Sequence, residues 1–398
     1  MKIDYPNTSN ENINEFIKNE INKEKESFLK NISKANDNIK YDFVSTYTID
    51  QFKDILNINL NIYSYIGGNH YDSINRSYYY LESENKRVDL NHFLTSPEAL
   101  ERISNLSHYY IMRYSKEKSL NLDEDMVIYG TKAILNNFNH FKFTDQGFSL
   151  LFPKGQVSSW NNGDIKITIP YRDLKGIIKD SYLEPVKEST PTRDLNKYKD
   201  KKLIAFTFDD GPGISTKKLL DNLDRYDARV TFFVLGSRIN SYKENLKQAS
   251  LMGNTIGSHT YNHRNLPNLK DYELLKEIKD TDYKIKEVTG SFPKFIRPPY
   301  GNTNSNIKEA GNMYTVLWNI DTEDWKSHDK YQIRDNILKN AHDGAIVLLH
   351  DIYMDSIDGA LLAMEELEKQ GYAFVTIEEM AILKNFEFKK DQTIFSIN

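Results

Sequence analysis

The stretch Ala205–Gly213, AFTFDDGPG, decides how the second half of this 398-residue chain is interpreted. An apolar run ends at Phe208, and two adjacent carboxylates, Asp209 and Asp210, follow it before Gly-Pro-Gly. Neighbouring carboxylates repel each other and need a cation, a shared proton or free solvation. Because Asp-Gly-Pro is also ordinary turn chemistry, the stretch alone leaves a solvated turn and a charged site as alternatives.

The chain after this point alternates between short apolar runs and amphipathic segments of helix length. The apolar runs are LIAFTF, RVTFFVL, FIRPP, MYTVLW, GAIVLLH and YAFVTI. Strands that alternate with helices predict a parallel β/α architecture whose strands are buried on both faces. Periodicity leaves a small irregular barrel and a doubly wound sheet as alternatives.

The first half of the chain has a different pattern. One apolar stripe in NINEFIKNEINKEKESFLKNI predicts an amphipathic helix, and the alternation in ILNINLNIYSY predicts a half-buried strand. Further strands follow with few helices, which indicates an α+β domain with an antiparallel sheet. The segment LEPVKESTPTRDLNKYKDKK is rich in charge and proline and predicts a linker. We therefore expect an α+β domain, a linker and a β/α domain at residues 1–183, 184–201 and 202–390.

Composition excludes several classes of function. The net charge is −5 with acids and bases well mixed, which argues against a general nucleic-acid binder. The chain has no cysteine, so disulfides, thiolate metal sites and cysteine nucleophiles are excluded. No run approaches the roughly 20 apolar residues of a membrane span, and the N-terminus lacks the apolar region of a secretory signal. For an exported protein, we expect the signal or anchor to lie outside this sequence.

Five polar clusters follow the apolar runs, nearly all directly after a strand. They are TFDDGP, SHTYNH, RPPYG, DTEDW and LLHD. The carboxyl ends of parallel strands meet at one face of a β/α fold, where the loops build the active site. The shared placement of the five clusters therefore predicts one site more strongly than any single cluster does.

The histidine cluster is a candidate metal site. His259 and His263 are four residues apart, a spacing that allows both imidazoles to bind one ion, although an isolated pair is also typical of surface histidines. Together with the Asp209–Asp210 corner, they supply two imidazoles and one carboxylate and leave room for water at a hydrolytic metal. The second carboxylate is then free to act as a base.

Three further residues are candidates for acid–base work. His350 ends an apolar strand, and Asp324 offers a carboxylate that would hold such a histidine protonated as a general acid. Arg297 is costly to bury without an acidic partner. From the residues alone, a structural histidine, a solvated carboxylate and a surface ion pair remain alternatives.

In this order the five clusters resemble the motifs of the polysaccharide deacetylases, the NodB-homology group or family 4 carbohydrate esterases. The resemblance covers about residues 202–383 and implies a distorted, incomplete (β/α) barrel. It also implies a metal-dependent hydrolase that removes acetyl groups from N-acetylated sugars. Zinc is the expected ion, with Co²⁺ or Mn²⁺ as alternatives.

The resemblance implies a role for each matching residue around the metal. Asp209 would be the general base, and Arg297 would pair with it and orient it. The metal ligands would be Asp210, His259 and His263.

The remaining matches would lie around the acetyl group and the leaving amine. His350 would be the general acid, held by Asp324. The backbone N–H of Tyr300 would help to stabilise the oxyanion. Trp325 and Leu348 would shape a small apolar pocket for the acetyl methyl group.

The first half resembles the extracytoplasmic domain of lysozyme-sensing anti-sigma factors. The resemblance rests on YPNTSNENINEFIKNEIN, on a terminal IPYRDLK strand and on YSYIGGNHYDS, in which His70 is interpreted as a turn residue. It implies lysozyme as a partner of this domain and the bacterial cell surface as the location.

These observations together predict a peptidoglycan N-acetylglucosamine deacetylase that acts on glycan strands outside the cell or at its surface and confers lysozyme resistance. One alternative is a deacetylase of chitooligosaccharides or of another N-acylated small molecule. The other is a lysozyme-binding surface protein whose barrel is only a scaffold.

Overall fold

The computed structural model of the chain describes residues 1–8, 10–32, 40–67, 70–184 and 193–398. Two compact units make up the chain, Met1–Val186 and Lys187–Asn398. His70, which the sequence places in a turn, lies at an exposed bend.

The N-terminal unit contains a five-stranded sheet in the order β1-β2-β3-β4-β5. Its strands are β1 (Lys2–Ile3), β2 (Asp42–Phe52), β3 (Ile55–Tyr65), β4 (Asp72–Leu81) and β5 (Lys86–Val88). All neighbours are antiparallel except β1 and β2. Helix α1 (Glu11–Ile32) buries Ile13, Ile17 and Ile21 in one core with Ile58 and Leu60 of β3. The apolar stripe predicted for α1 and the apolar side of the predicted strand β3 therefore pack in the same core.

A second, three-stranded antiparallel sheet lies in the same unit. Its strands are β6 (Phe141–Thr144), β7 (Gly147–Phe152) and β8 (Ile165–Ile169). The helices around it are α2 (Leu90–Phe93), α3 (Ala99–Glu117), α4 (Glu124–Gly130) and α5 (Tyr171–Leu174). The 19-residue α3 contacts β8, so this unit has more helix than its sequence pattern predicts.

The C-terminal unit is built on a nine-stranded sheet in which all strand pairs are parallel. Its strands are β9 (Lys202–Asp209), β10 (Thr231–Val234), β11 (Thr255–Ser258), β12 (Phe295–Ile296), β13 (Tyr314–Val316), β14 (Ile320–Asp321), β15 (Ala345–His350), β16 (Tyr372–Phe374) and β17 (Thr393–Ile394). The order is β14-β15-β9-β10-β11-β12-β13-β17, and β16 also pairs with β9. The sheet curls into an incomplete barrel with β14 and β17 at its two ends, so the predicted fold is confirmed.

Helices pack around this sheet, on both of its faces. They are α6 (Thr216–Leu223), α7 (Gly236–Ile239), α8 (Lys243–Leu251), α9 (Asp271–Thr289), α10 (Ser305–Gly311), α11 (Asp324–Ser327), α12 (Lys330–Asn340), α13 (Met354–Lys369) and α14 (Ile377–Leu383). The largest core lies between the sheet and α6, α12 and α13, where Phe206, Phe208, Val347 and Leu349 are fully buried. Both β9 and β15 are therefore held by apolar packing along their whole length.

Part of the predicted linker packs against the C-terminal unit. Arg193 donates from Nε to Glu379 at 2.6 Å, and Tyr198 is 2% exposed. At the other end of this unit, β17 lies beyond residue 390 and pairs with β13. In the portions of the chain that the structure describes, no helix is both long enough and apolar enough to cross a membrane.

Candidate active site

The predicted site residues lie at the carboxyl ends of neighbouring parallel strands. Asp209 ends β9 and His350 ends β15, and these two residues are paired in the strand register. His259 directly follows β11, and Arg297 directly follows β12. Because the strands run in parallel, four of the five polar clusters converge on one edge of the sheet, and Asp324 joins them by its bond to His350.

The Asp209–Asp210 corner depends on an unusual backbone conformation. Consecutive strand residues normally face opposite sides of a sheet. Asp210 has a φ of +68°, in the left-handed region that residues other than glycine rarely adopt. The backbone therefore leaves its strand path at Asp210, and both carboxylates reach the same histidine: His259 Nε2 lies 3.7 Å from Asp209 Oδ2 and 3.5 Å from Asp210 Oδ1.

Asp210, His259 and His263 fit a divalent cation. Their ligand atoms all lie within 4.8 Å of one another, and Asp210 Oδ1 is 3.5 Å from His259 Nε2 and 3.6 Å from His263 Nε2. Two ligands about 2.1 Å from a tetrahedral ion are about 3.4 Å apart. Asp210 Oδ1 is buried and accepts no hydrogen bond from the described residues. A buried carboxylate oxygen of this kind needs a positive partner.

His259 is held in the form that binds metals. Its Nδ1 lies 2.6 Å from the backbone carbonyl oxygen of Arg297, so Nδ1–H donates to that carbonyl and Nε2 keeps its lone pair on the side of Asp210. Burial lowers the pKa of His259 to about 3, so the ring is neutral at physiological pH. A metal-binding histidine is commonly fixed in this way by a carbonyl behind it.

Asp209 is held by a fully buried arginine. Arg297 donates from Nη1 to Asp209 Oδ1 at 2.8 Å and to Thr207 Oγ1 at 2.7 Å. Its Nε and Nη2 donate to the carbonyl oxygens of Val316 and Leu317, and no part of Arg297 is exposed. Burial raises the pKa of Asp209, and the charge of Arg297 partly offsets that rise. Only Oδ1 is bound to the guanidinium, which leaves Oδ2 on the side of His259.

His350 forms a second charge pair, with Asp324. His350 Nδ1 lies 2.8 Å from Asp324 Oδ1, and Asp324 Oδ2 accepts from the His350 backbone N–H at 2.8 Å and from Ser356 Oγ at 2.6 Å. Burial raises the pKa of Asp324, but these hydrogen bonds lower it below its usual value. Burial also lowers the pKa of His350, but its bond to Asp324 and the negative charge around it raise that pKa to about 9. His350 is therefore an imidazolium at neutral pH.

The three residues expected to contact substrate differ in exposure. Tyr300 has a φ of +61° and is 65% exposed, and its ring lies 4.7 Å from the ring of His263. Trp325 follows Asp324 and is 52% exposed. Leu348 is 4% exposed and shares a strand face with His350, because it lies two residues earlier.

Two buried residues beside the site were missed from the sequence. Asp351 is fully buried, accepts from the hydroxyl of Thr216, and has a pKa that burial raises to about 7. A Cβ on Gly211 would lie 2.0 Å from Asp351 Oδ1, so only glycine fits beside Asp210. Asp351 directly follows His350 in the sequence, and this position could have identified it as a residue near the site. Ser356, which donates to Asp324, lies inside a helix and has no such signal.

An incomplete parallel barrel that brings two histidines, an unpartnered carboxylate and two charge pairs to its carboxyl edge is the architecture of a hydrolytic enzyme. The sequence profile of the family described as "Polysaccharide deacetylase" matches residues 196–316. The chain is also 31% identical over 401 residues to the peptidoglycan-N-acetylmuramic acid deacetylase PdaC of Bacillus subtilis, covering 96% of this chain and 85% of that protein. The chain therefore belongs to the polysaccharide deacetylase family, as predicted.

Two further comparisons cover mainly the C-terminal unit. The peptidoglycan-N-acetylglucosamine deacetylase PgdA of Listeria monocytogenes is 36% identical over 216 residues, which is 54% of this chain and 46% of that protein. A solved structure of PdaC from Bacillus subtilis is 40% identical over 47% of this chain and 93% of that chain, with a TM-score of 0.46.

The N-terminal unit also matches a family profile. The family described as "Protein of unknown function (DUF3298)" matches residues 93–172, a span that begins in α2 and ends in α5. This match assigns no activity or partner to the unit.

Proposed function

We propose that this protein hydrolyses the acetamide group of N-acetylated sugars in peptidoglycan, with a divalent cation as cofactor. The observation that carries the proposal is the placement of an Asp-His-His cluster beside an arginine-held carboxylate and a carboxylate-held imidazolium. The names of the relatives agree with this substrate class, since both are peptidoglycan deacetylases.

Asp210, His259 and His263 would hold the cation. Zinc is the ion that two imidazoles and one carboxylate favour, and Co²⁺ or Mn²⁺ are alternatives. When bound, the cation supplies Lewis acidity for the acetamide carbonyl and lowers the pKa of a water molecule.

Asp209 is proposed as the general base. Its Oδ1 is bound by Arg297, and its Oδ2 lies on the side of the metal cluster, 3.7 Å from His259 Nε2. Oδ2 is therefore the oxygen placed to take a proton from the attacking water. The fixed charge of Arg297 opposes the rise in the pKa of Asp209 that burial causes.

His350 is proposed as the general acid. Because Nδ1 is bound to Asp324, Nε2–H is the proton available for the leaving nitrogen. Water adds to the carbonyl carbon, Asp209 takes its proton, the C–N bond breaks and His350 protonates the amine. The products are acetate and a free amino sugar.

Three residues are proposed to bind the N-acetyl group. Leu348, on the face of β15 that carries His350, and the exposed ring of Trp325 would contact the acetyl methyl group. The backbone N–H of Tyr300 would donate a hydrogen bond to the oxyanion. Tyr300 has a left-handed backbone conformation, which changes the direction of the chain at this residue.

The sugar is proposed to be N-acetylglucosamine. N-acetylmuramic acid is the second candidate, because the relative that matches 96% of this chain is named for that sugar. Either reaction leaves a free amine on the glycan and would make it a poor lysozyme substrate. The expected location is the cell surface, and lysozyme binding by the N-terminal unit stays a prediction.

Acetate release tests the reaction and the substrate class together. Full-length protein is stripped with a chelator, reloaded with Zn²⁺, Co²⁺ or Mn²⁺, and incubated with insoluble peptidoglycan or with chitotetraose. We expect release from peptidoglycan only after reloading. Release from chitotetraose with none from peptidoglycan would favour the chitooligosaccharide alternative, and release from neither substrate would contradict the proposed activity.

A further inference from the structure

The two histidines of the candidate metal site lie on a turn with a strained backbone. Thr260 has a φ of +72° and His263 a φ of +58°, both in the left-handed region that residues with a side chain rarely adopt. Such conformations persist only where the surrounding structure holds them. The position of the His263 imidazole therefore depends on what fixes residues 260–263.

The carbonyl groups of this turn are bonded to backbone. The Gly236 N–H donates to the Thr260 carbonyl at 3.0 Å, and the Ser237 N–H donates to the Tyr261 carbonyl at 3.0 Å. These two donors belong to the start of α7. A side-chain substitution cannot remove either bond.

The N–H groups of the same turn are bonded to one buried side chain. Glu277 Oε2, from α9, accepts from the Tyr261 N–H at 3.0 Å and from the Asn262 N–H at 2.7 Å. Glu277 Oε1 accepts from Asn262 Nδ2 at 3.1 Å. Glu277 is 4% exposed, and hydrogen bonds to a carboxylate are stronger than bonds between neutral groups. The two residues that it binds lie between the two histidines.

We propose that Glu277 is a positioning residue for the metal site. It fixes the turn so that His263 Nε2 stays within ligand distance of Asp210 Oδ1 and His259 Nε2. Glu277 touches neither the reacting groups nor the metal ligands and acts through the backbone of Tyr261 and Asn262. The inference rests on the proposed metal site.

Cation affinity is the direct test of this role. Stripped full-length protein is titrated with Zn²⁺ by calorimetry for wild type, Glu277→Ala and Glu277→Gln. We expect Glu277→Ala to weaken Zn²⁺ binding by about 10–100-fold, the usual effect of removing a group that orients a ligand. Glu277→Gln should lose less Zn²⁺ affinity, because its amide oxygen still accepts hydrogen bonds from the backbone N–H groups of the turn. With the metal saturating, kcat should fall while KM changes little.

The chain offers a matched control on the same helix. Glu273 lies one turn before Glu277 and pairs with Arg264, next to His263, at 3.1 Å, but its side chain is 45% exposed. We expect Glu273→Gln to keep Zn²⁺ affinity within about twofold, since exposed ion pairs contribute little. The visible spectrum of the Co²⁺-loaded protein adds a readout of ligand geometry. It should change in both Glu277 variants and stay unchanged in the control.

The outcomes separate this inference from the metal site itself. Unchanged Zn²⁺ affinity and an unchanged Co²⁺ spectrum in folded Glu277→Ala would overturn the positioning role and leave the metal site standing. Equal losses in Glu277→Gln and Glu273→Gln would overturn it as well. A wild-type protein that binds no cation would overturn both. If Glu277→Ala does not fold, Glu277→Gln provides the same comparison.

Discussion

Replacing Asp324 by asparagine should move the basic limb of the pH–rate profile to lower pH. Asp324 is fully buried and holds His350 Nδ1 at 2.8 Å. Asparagine keeps the shape and an acceptor oxygen but removes the charge that stabilises the imidazolium. A general acid works below its pKa and stops working as the pH rises through that pKa.

The size of the effect follows from the pKa of His350. The rise from the ordinary value of 6.5 to about 9 corresponds to roughly 3 kcal/mol of stabilisation of the imidazolium. Burial alone lowers the pKa of His350, so without Asp324 we expect a value near or below 6.5. At pH 7.5 the protonated fraction should then fall from nearly all to about one tenth or less. We expect at least a tenfold loss of kcat at pH 7.5, with partial recovery near pH 5.5.

The assay is acetate release between pH 5 and pH 10 with the metal saturating. Glu323→Gln is the matched control, because Glu323 precedes Asp324 and its side chain is 58% exposed. The control should keep the basic limb near pH 9. A basic limb that stays near pH 9 in Asp324→Asn would refute the assignment of His350 and Asp324 as an acid pair.

Three further predictions concern the other parts of the site. His263→Ala should lose the bound cation but stay folded, since its side chain is 29% exposed. Asp209→Asn should keep the cation and lose a factor of about 10²–10⁴ in kcat, whereas Asp210→Asn should weaken cation binding first. Calorimetry that showed the opposite order of metal loss for the two aspartate variants would require their roles to be exchanged. Arg297→Met should reduce the free energy of unfolding by about 3–5 kcal/mol in urea, because it leaves the Asp209 carboxylate buried without its partner, and a loss below about 1 kcal/mol would contradict this. Residues 193–398 alone should keep activity on a short N-acetylated oligomer, since they form most of a compact unit, and an inactive but folded fragment would contradict this independence.

The sequence predicts the placement of the site because parallel strands impose it. Asp209, Arg297 and His350 each stand at or just after an apolar run, His259 follows the short stretch GNTIGS, and the carboxyl ends of parallel strands meet at one edge. The choice between a barrel and a doubly wound sheet was open from periodicity, and the family resemblance resolved it correctly. That resemblance depends on residue types in a fixed order, which a sequence displays directly.

The supporting residues were not predictable from the same patterns. Glu277 follows His263 by fourteen positions and lies on an amphipathic helix, where a glutamate ordinarily faces solvent. Its burial depends on how α9 packs, which is a tertiary property. The left-handed backbone at Asp210 was not predictable from the sequence either, because aspartate adopts that conformation more often than most residues but still in a minority of cases.

Helix content in the N-terminal unit was underestimated although the sequence carries a signal for it. In helix α3 the buried residues Ala99, Ile103, Leu106 and Tyr110 recur at helical spacing. This stripe packs against β8. The sequence interpretation rested on the strand patterns and did not use it.

The most direct measurement of the central claim is the mass of the sugars after reaction. Purified insoluble peptidoglycan is treated with the Zn²⁺-loaded full-length protein, digested to disaccharide fragments and analysed by mass spectrometry, with Asp209→Asn as the matched control. We predict that wild type produces fragments lighter by one acetyl group on one sugar of the pair, together with an equal amount of acetate, and that the variant does not. Unchanged fragment masses with a cation-loaded, folded wild-type protein would contradict the account.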